Sequence, residues 1–242
     1  MSKPVQEEKQ SDDRLSHGPG KEYEIYARRF SENEDRTREV TWKILIADFF
    51  QQYISPRDII VDLGAGDGKF ITNVEAKRRI AVDVSAHVLH LQQQGIEVLN
   101  IPATSLTQHL DTLVDVVFMS NFLEHLPNKR VLLEVFEECH QALKPGGRVL
   151  ILQPNIRYVG SAYWDFIDHH IALTEYSLVE ALEISGFAIE RLIPRFLPYT
   201  SKSRLGSLVK GKSSSWIVRF YLKLPILWRI IGQQTFVAAR AI

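Results

Sequence analysis

The stretch Val61-Asp62-Leu63-Gly64-Ala65-Gly66-Asp67-Gly68-Lys69-Phe70 constrains this chain more than any other, because an apolar run empties directly into a turn holding three glycines. Ile59 to Leu63 reads as a short strand buried on both faces of a parallel sheet. Gly64, Ala65, Gly66 and Gly68 let the backbone turn sharply and approach a ligand closely, and the pattern predicts a helix next, with its first amides facing that ligand. Arg79 to Val84 predicts a second strand ending at Asp83, about twenty residues after Asp62. A carboxylate there can accept hydrogen bonds from both hydroxyls of a ribose, so the expected ligand contains a nucleoside.

A chain of 242 residues suits one α/β domain with appendages, large enough to bury a core without disulfides. The formal net charge of +0 hides an asymmetry: beyond Glu190 there are ten Lys/Arg and no Asp/Glu. The body is therefore acidic and the C-terminal part basic. Cys139 is the only cysteine, which excludes an internal disulfide and a cysteine-based metal cluster, and its place on an apolar helical stripe makes it a small core residue. The polar N-terminus and the lack of a long uncharged apolar stretch point to a cytoplasmic protein, with peripheral contact at the inner membrane surface through the basic end.

Residues 1–20 read as a disordered arm, and 21–242 as one domain. Lys21 to Phe30 is a short helix candidate that could cover a pocket. The spacing of Val40, Ile44, Leu45, Ala47 and Phe49 predicts an amphipathic helix over about 35–53. After Asp83, Ser85 caps a helix that runs to about Gln94 and ends at Gly95. Strands follow at Ile96–Ile101 and Val114–Ser120, then a helix over Asn128–Leu143, the Lys144-Pro145-Gly146-Gly147 stop, and a strand at Arg148–Leu152. Alternating strands and helices predict a doubly wound, mostly parallel sheet. In such sheets ligands sit at the carboxyl ends of the strands, so the loops beginning at Gly64, Val84, Pro102, Asn121 and Gln153 should border one crevice.

The ordered series VDLGAGDGKF, AVDVS, IPATSL, DVVFMSNFLEHLP and LKPGGRVLILQPN resembles the class I S-adenosylmethionine-dependent methyltransferases over about residues 40–190, with a final strand near the C-terminus. The resemblance, to methyltransferases of types 11 and 12, implies a Rossmann-like sheet of seven strands whose last is antiparallel, and S-adenosylmethionine as cofactor. Carried over by position, Asp62, Gly64, Ala65, Gly66 and Gly68 would line its methionine and ribose. Asp83 would hold the ribose hydroxyls, Val84 would pack on adenine, and Ala103 and Thr104 would lie at the adenine edge, where relatives often carry an acid that this chain lacks. Asn121 and Phe122 would sit near the sulfonium and the entering acceptor. A nicotinamide-dependent oxidoreductase uses a similar strand, turn and acid, but its turn reads Gly-x-Gly-x-x-Gly, whereas this one reads Gly-x-Gly-x-Gly.

Methyl transfer is an in-line displacement in which the protein chiefly aligns acceptor and methyl group. Where the acceptor must lose a proton, the candidates lie in Tyr163 to His170: His169 or His170 as base, with Asp165 or Asp168 to orient it. On a helix, adjacent histidines point about 100° apart, so only one of the two would face the acceptor. Asn121-Phe122-Leu123-Glu124-His125 resembles the Glu-x-x-Glu-His segment that binds a divalent ion in ubiquinone-pathway O-methyltransferases, with Asn121 in place of the first acid. A hard cation prefers carboxylates, so a divalent metal is carried only as a second cofactor expectation with no ligand assigned, and Glu124 and His125 equally serve to shape the turn into the next helix.

Phe187–Phe196 and Thr235–Arg240 predict the last two strands, with an unusually long connection, 201–231, between them. Its first part is rich in Ser, Gly, Lys and Arg, while Trp216 to Ile231 is aromatic and aliphatic with interspersed basic residues and a break at Pro225. Such a segment could dock on anionic lipid, cap the pocket or hold a substrate phosphate. The acidic body argues against nucleic acid. The expected activity is O-methylation of a small molecule or of a glycan or lipid-linked intermediate. The Tyr163 to His170 segment and the long connection loosely resemble methyltransferases of bacterial cell-surface polysaccharide pathways. The alternative from another class is a catalytically idle module that binds the cofactor and recruits partners.

Overall fold

The computed structural model describes residues 32–199 and 214–242. The expected arm at 1–20, the helix candidate at Lys21–Phe30 and the first part of the long connection lie outside the described residues. Seven strands form one sheet in the order β3-β2-β1-β4-β5-β7-β6: β1 Ile59–Leu63, β2 Arg78–Val82, β3 Glu97–Leu99, β4 Val114–Ser120, β5 Leu143–Pro154, β6 Phe187–Leu197 and β7 Gln234–Ala241. Strands β1 to β5 pair in parallel, and β7 runs antiparallel between β5 and β6. This is the doubly wound Rossmann-like sheet that the alternation of elements predicts.

The period-2 pattern of the strands sends successive side chains to opposite faces, and both faces are covered. On one face Val61, Leu63, Val117, Met119, Val149, Ile151, Val237 and Ala239 form a continuous core with helices α2 Lys129–Ala142 and α4 Glu175–Ile184. Helix α2 buries Leu132, Val135, Phe136, Cys139 and Ala142, the 3.6-residue stripe, and Asn128 caps it by accepting a bond from the Val131 amide at 3.1 Å. Between these two helices, Ile156–Val159 makes a single turn, α3. Burial holds the Cys139 thiol far above its ordinary range, so it is inert core, as expected.

The other face is aromatic. Helix α1 Glu32–Asp48 and the following 3-10 turn bring Phe49 and Phe50 onto Phe196 and Phe236, while Phe70 stacks on Phe118 with ring centroids 3.6 Å apart. Helices α5 Ser214–Lys223 and α6 Pro225–Ile231 complete this layer through Tyr221, Leu222 and Trp228. Proline fits the first turn of α6, where its missing amide is no loss, and that is why the predicted break falls at Leu224. The apolar stripe of α1 differs from expectation. Val40 and Ala47 are exposed and the buried set is Ile44, Leu45, Ile46, Phe49 and Phe50, because the tight turn at Phe50–Tyr53 rotates the last aromatics inward.

Two further differences matter for the site. No regular helix follows the glycine turn: residues 64–77 are successive turns, held by amide bonds from Thr72 to Gly68 and from Val74 to Phe70. So few residues separate Gly68 from β2, and Ile71, Thr72 and Val74 among them are β-branched, so extended helix has neither length nor propensity there. The segment Ala86–Gln94 is a 3-10 helix, capped at Ser85 and ended by Gly95 in the left-handed region as its sequence predicts.

Candidate active site

The glycine turn is shaped by close packing as much as by hydrogen bonding. Gly64, Gly66 and Gly68 all have positive φ, at 77°, 54° and 73°. A Cβ on Gly64 would lie 2.5 Å from the ring of Phe122, and one on Gly68 would lie 2.5 Å from Leu91, so these two positions are filled by neighbouring side chains. At Gly66 nothing stands within 4 Å, which leaves open space over the turn. Helix α1 is tied to the turn by ion pairs, Lys69 to Asp35 at 2.8 Å and Arg38 to Asp67 at 3.2 Å.

Asp83 joins the turn to the end of β2. Its Oδ2 accepts from the Gly66 amide at 2.9 Å and its Oδ1 from the Ser85 amide at 2.8 Å, while Asn100 donates to its carbonyl. Beside it Val84 is an apolar side chain left 57% exposed. Ala103 and Thr104 form a half-buried 3-10 turn after β3. Thus Asp62, Gly64, Gly66, Asp83 and Phe122 are brought into one packed unit, Ala65 is buried beneath it, and Ala103 and Thr104 stand at the neighbouring strand end.

Asp62 is buried at 3% exposure under the turn. Burial raises its carboxyl well above the ordinary range, with repulsion from Asp83 and Asp67 adding to this and a bond from the Ile71 backbone opposing it. A carboxylate with a raised folded pKa contributes stability that is present in acid and lost as pH rises through that value. Asp62→Asn should therefore raise the melting temperature of the cofactor-free protein by about 2–8 °C at pH 8, with a smaller gain near pH 5. Differential scanning calorimetry at both values checks this, and an equal change at both would remove the ionisation argument.

After β4 the chain makes a tight turn at Asn121, the one non-glycine residue with positive φ among those described. Its carboxamide donates to Ser120 and accepts from Gln234 of β7 at 3.3 Å, so it is occupied by hydrogen bonds to neighbouring strands. Glu124 and His125 follow on a 3-10 turn and meet the segment after β5. The Nδ1 of His125 lies 2.9 Å from the Asp168 carbonyl and 3.4 Å from its carboxylate. A carbonyl can only accept, so Nδ1 carries a proton and the Nε2 of the neutral ring keeps its lone pair. His169 is 7% exposed and packs edge-on against His125 with ring centroids 5.2 Å apart. Ligand atoms of Glu124, His125 and His169 all lie within 4.8 Å of one another. Burial also raises the Glu124 carboxyl, offset by the adjacent His125 and Gln153, and its Oε2 has no hydrogen-bond partner among the described residues.

Of the predicted bases, only His169 enters this cluster. Tyr163 is buried and donates to the Ile171 carbonyl, and the chain passes from a 3-10 helix at Gly160–Asp165 into open turns. Asp165 and His170 are exposed, and among the described residues His170 is tied through its amide to the Glu124 carbonyl at 2.8 Å. The two histidines diverge because of this turn and not through helical geometry. Gln153 at the end of β5 and Tyr199 beyond β6, whose hydroxyl is 3.5 Å from His169 Nε2, complete the surroundings. Gln153 opens one of the loops expected at the crevice, whereas only the strand order brings Tyr199 here.

Residues 61–149 match the profile of a methyltransferase domain family. A comparison with curated proteins found no match. Among solved structures the chain is similar to a S-adenosylmethionine-dependent methyltransferase from Archaeoglobus fulgidus, with a TM-score of 0.62 and 21% identity over 90% of this chain and 99% of that one. It is similar also to one from Thermotoga maritima, with a TM-score of 0.63 and 14% identity over 93% and 98% of the two chains, and to one from Mesorhizobium loti, with a TM-score of 0.52 and 21% identity over 76% and 91%. The profile match thus covers residues 61–149, and the chain has the Rossmann-like fold of these structures. Together the profile and the fold support S-adenosylmethionine as the cofactor.

Proposed function

We propose that this protein transfers the methyl group of S-adenosylmethionine to an oxygen of a small molecule or of a glycan or lipid-linked intermediate. The observation that carries the reading is the His125–Asp168 pair, held three residues from Phe122, which itself packs on the glycine turn. Asp83 holds the ribose hydroxyls, exposed Val84 offers a surface to adenine, with Ala103 and Thr104 at its edge, and the open space over Gly66 takes the methionine part above Ala65, Gly64 and Gly68. Asp62, buried beneath the turn, lies under the methionine and ribose part. Asn121 and Phe122 border the sulfonium.

In the displacement, an acceptor oxygen lone pair forms the new bond to the methyl carbon, and the carbon–sulfur pair stays on sulfur as a neutral thioether. The proton leaving the acceptor hydroxyl goes to His125 Nε2, with Asp168 fixing the ring and stabilising the imidazolium. His169 and Glu124 hold the back of the cluster. Purified protein with methyl-labelled cofactor and cell extract tests the reading: a labelled acceptor is expected. Cofactor binding without any labelled acceptor would favour the idle module instead.

The partnerless Glu124 oxygen favours a second reading of the same cluster. Glu124, His125 and His169 supply one carboxylate and two imidazoles, a donor set suited to a first-row transition ion, with Asn121 taking no part. Such an ion, when bound, would polarise the acceptor oxygen as a Lewis acid. Calorimetric titration of chelator-treated protein with Mn²⁺ or Zn²⁺ separates the readings: a saturable site lost in Glu124→Gln supports the second, and none supports the first.

A further inference from the structure

Helices α5 and α6 are inside-out for a surface element. Their inner sides are firmly seated: Tyr221 donates to the Phe196 carbonyl, Trp228 Nε1 to the Tyr221 carbonyl at 2.9 Å, and Arg195 of β6 to the carbonyls of Gly232 and Ile230 at 2.8 and 2.7 Å. Their outer sides nevertheless carry large apolar groups. Trp216 and Phe220, four apart on α5, are 61% and 53% exposed; Ile226 and Ile230, four apart on α6, are 59% and 62% exposed. Four-residue spacing places each pair on one helix face. Because the helices are docked by buried anchors, this exposure is a property of the folded protein and not of a loose segment.

Charge identifies what covers the face. Lys223 and Arg229 are exposed on the same two helices with no ion pair among the described residues, and Arg219 reaches Asp48 of α1. No carboxylate side chain occurs from Arg191 to the end of the chain. A second copy seated on this face would set basic groups against basic groups. An anionic surface complements them, and apolar side chains with interspersed cations are what the headgroup boundary of a bilayer accepts.

We infer that the outer face of α5 and α6, through Trp216, Phe220, Ile226 and Ile230 with Lys223 and Arg229, docks the folded protein on an anionic lipid surface. Helix α6 runs directly into β7, whose first residue Gln234 bonds Asn121 at the active edge. Docking there sets that edge beside the membrane. The inference stands independently of the methyl-transfer reading, since binding is measured without turnover.

The test is flotation of the full chain with vesicles of phosphatidylcholine containing about a third phosphatidylglycerol, and with phosphatidylcholine alone. The anionic vesicles are expected to bind at least about tenfold more protein, with the difference collapsing at high salt. The double variants Trp216→Ser/Phe220→Ser and Ile226→Ser/Ile230→Ser should each reduce binding by about tenfold or more, as should Lys223→Glu/Arg229→Glu. Two apolar pairs are used so that one still reports if the other disturbs folding, which near-UV circular dichroism reads. Absence of binding to anionic vesicles overturns the inference, as does binding unchanged in all three variants. A dimer in sedimentation that the same variants dissolve, without vesicle binding, would assign the face to a second copy.

Discussion

Under the proposed placement of the cofactor, replacing Asp83 with alanine is expected to weaken S-adenosylmethionine binding by about a hundredfold, read by isothermal titration calorimetry, because two charge-assisted hydrogen bonds to ribose would be lost. The same carboxylate also accepts from the Gly66 and Ser85 amides, so the turn itself should loosen and the melting temperature fall by a few degrees. Asp83→Asn separates the two effects. Its remaining carbonyl oxygen can serve one amide, so stability should recover more than affinity. Wild-type affinity in the alanine variant would remove Asp83 from the cofactor site.

His125→Ala carries the second large effect. Under the methyl-transfer reading, methyl transfer should fall by about 10²- to 10⁴-fold while cofactor affinity changes little, since the ring sits beyond Phe122 and would act on the acceptor's proton. Asp168→Asn should give a smaller loss, because the backbone carbonyl of Asp168 still fixes Nδ1. His170→Ala, altering an exposed side chain outside the cluster, should leave turnover near wild type. Single-turnover measurement with labelled cofactor checks all three, and full activity in His125→Ala would end its assignment as base.

The parts of this protein legible in its sequence are those where local pattern and tertiary outcome agree. Val114 to Ser120 alternates between two apolar layers and is a strand wherever it is placed; Asn128 caps a helix whose stripe runs from Leu132 to Ala142. The glycine turn and Asp83 were legible because both follow consecutive strands with a recognisable spacing. The helix expected after Gly68 failed for want of length. The Glu124–His125–His169 cluster was readable only in pieces: Glu124 and His125 were visible as a segment, and His169 as a candidate base. Their meeting depends on the path of the chain after β5, which brings Asp168 to His125 across 43 positions. Gln153 was placed at the crevice by its loop, but Tyr199 arrives through the order of β5, β7 and β6, a long-range property with no local signature.

The irregular turn after Gly68 also bears on how the cycle would end. A regular helix starting there would present the partial positive charge of its N-terminus to the ligand. Here that end is missing, and the Asp83 carboxylate borders the turn instead, while Asp67 is paired with Arg38 and burial holds Asp62 toward its neutral form. Such a field attracts a sulfonium and has little hold on a neutral thioether. Under the methyl-transfer reading, the loss of charge that accompanies chemistry weakens the spent cofactor's grip, so exchange for a fresh one is built into the electrostatics of the turn.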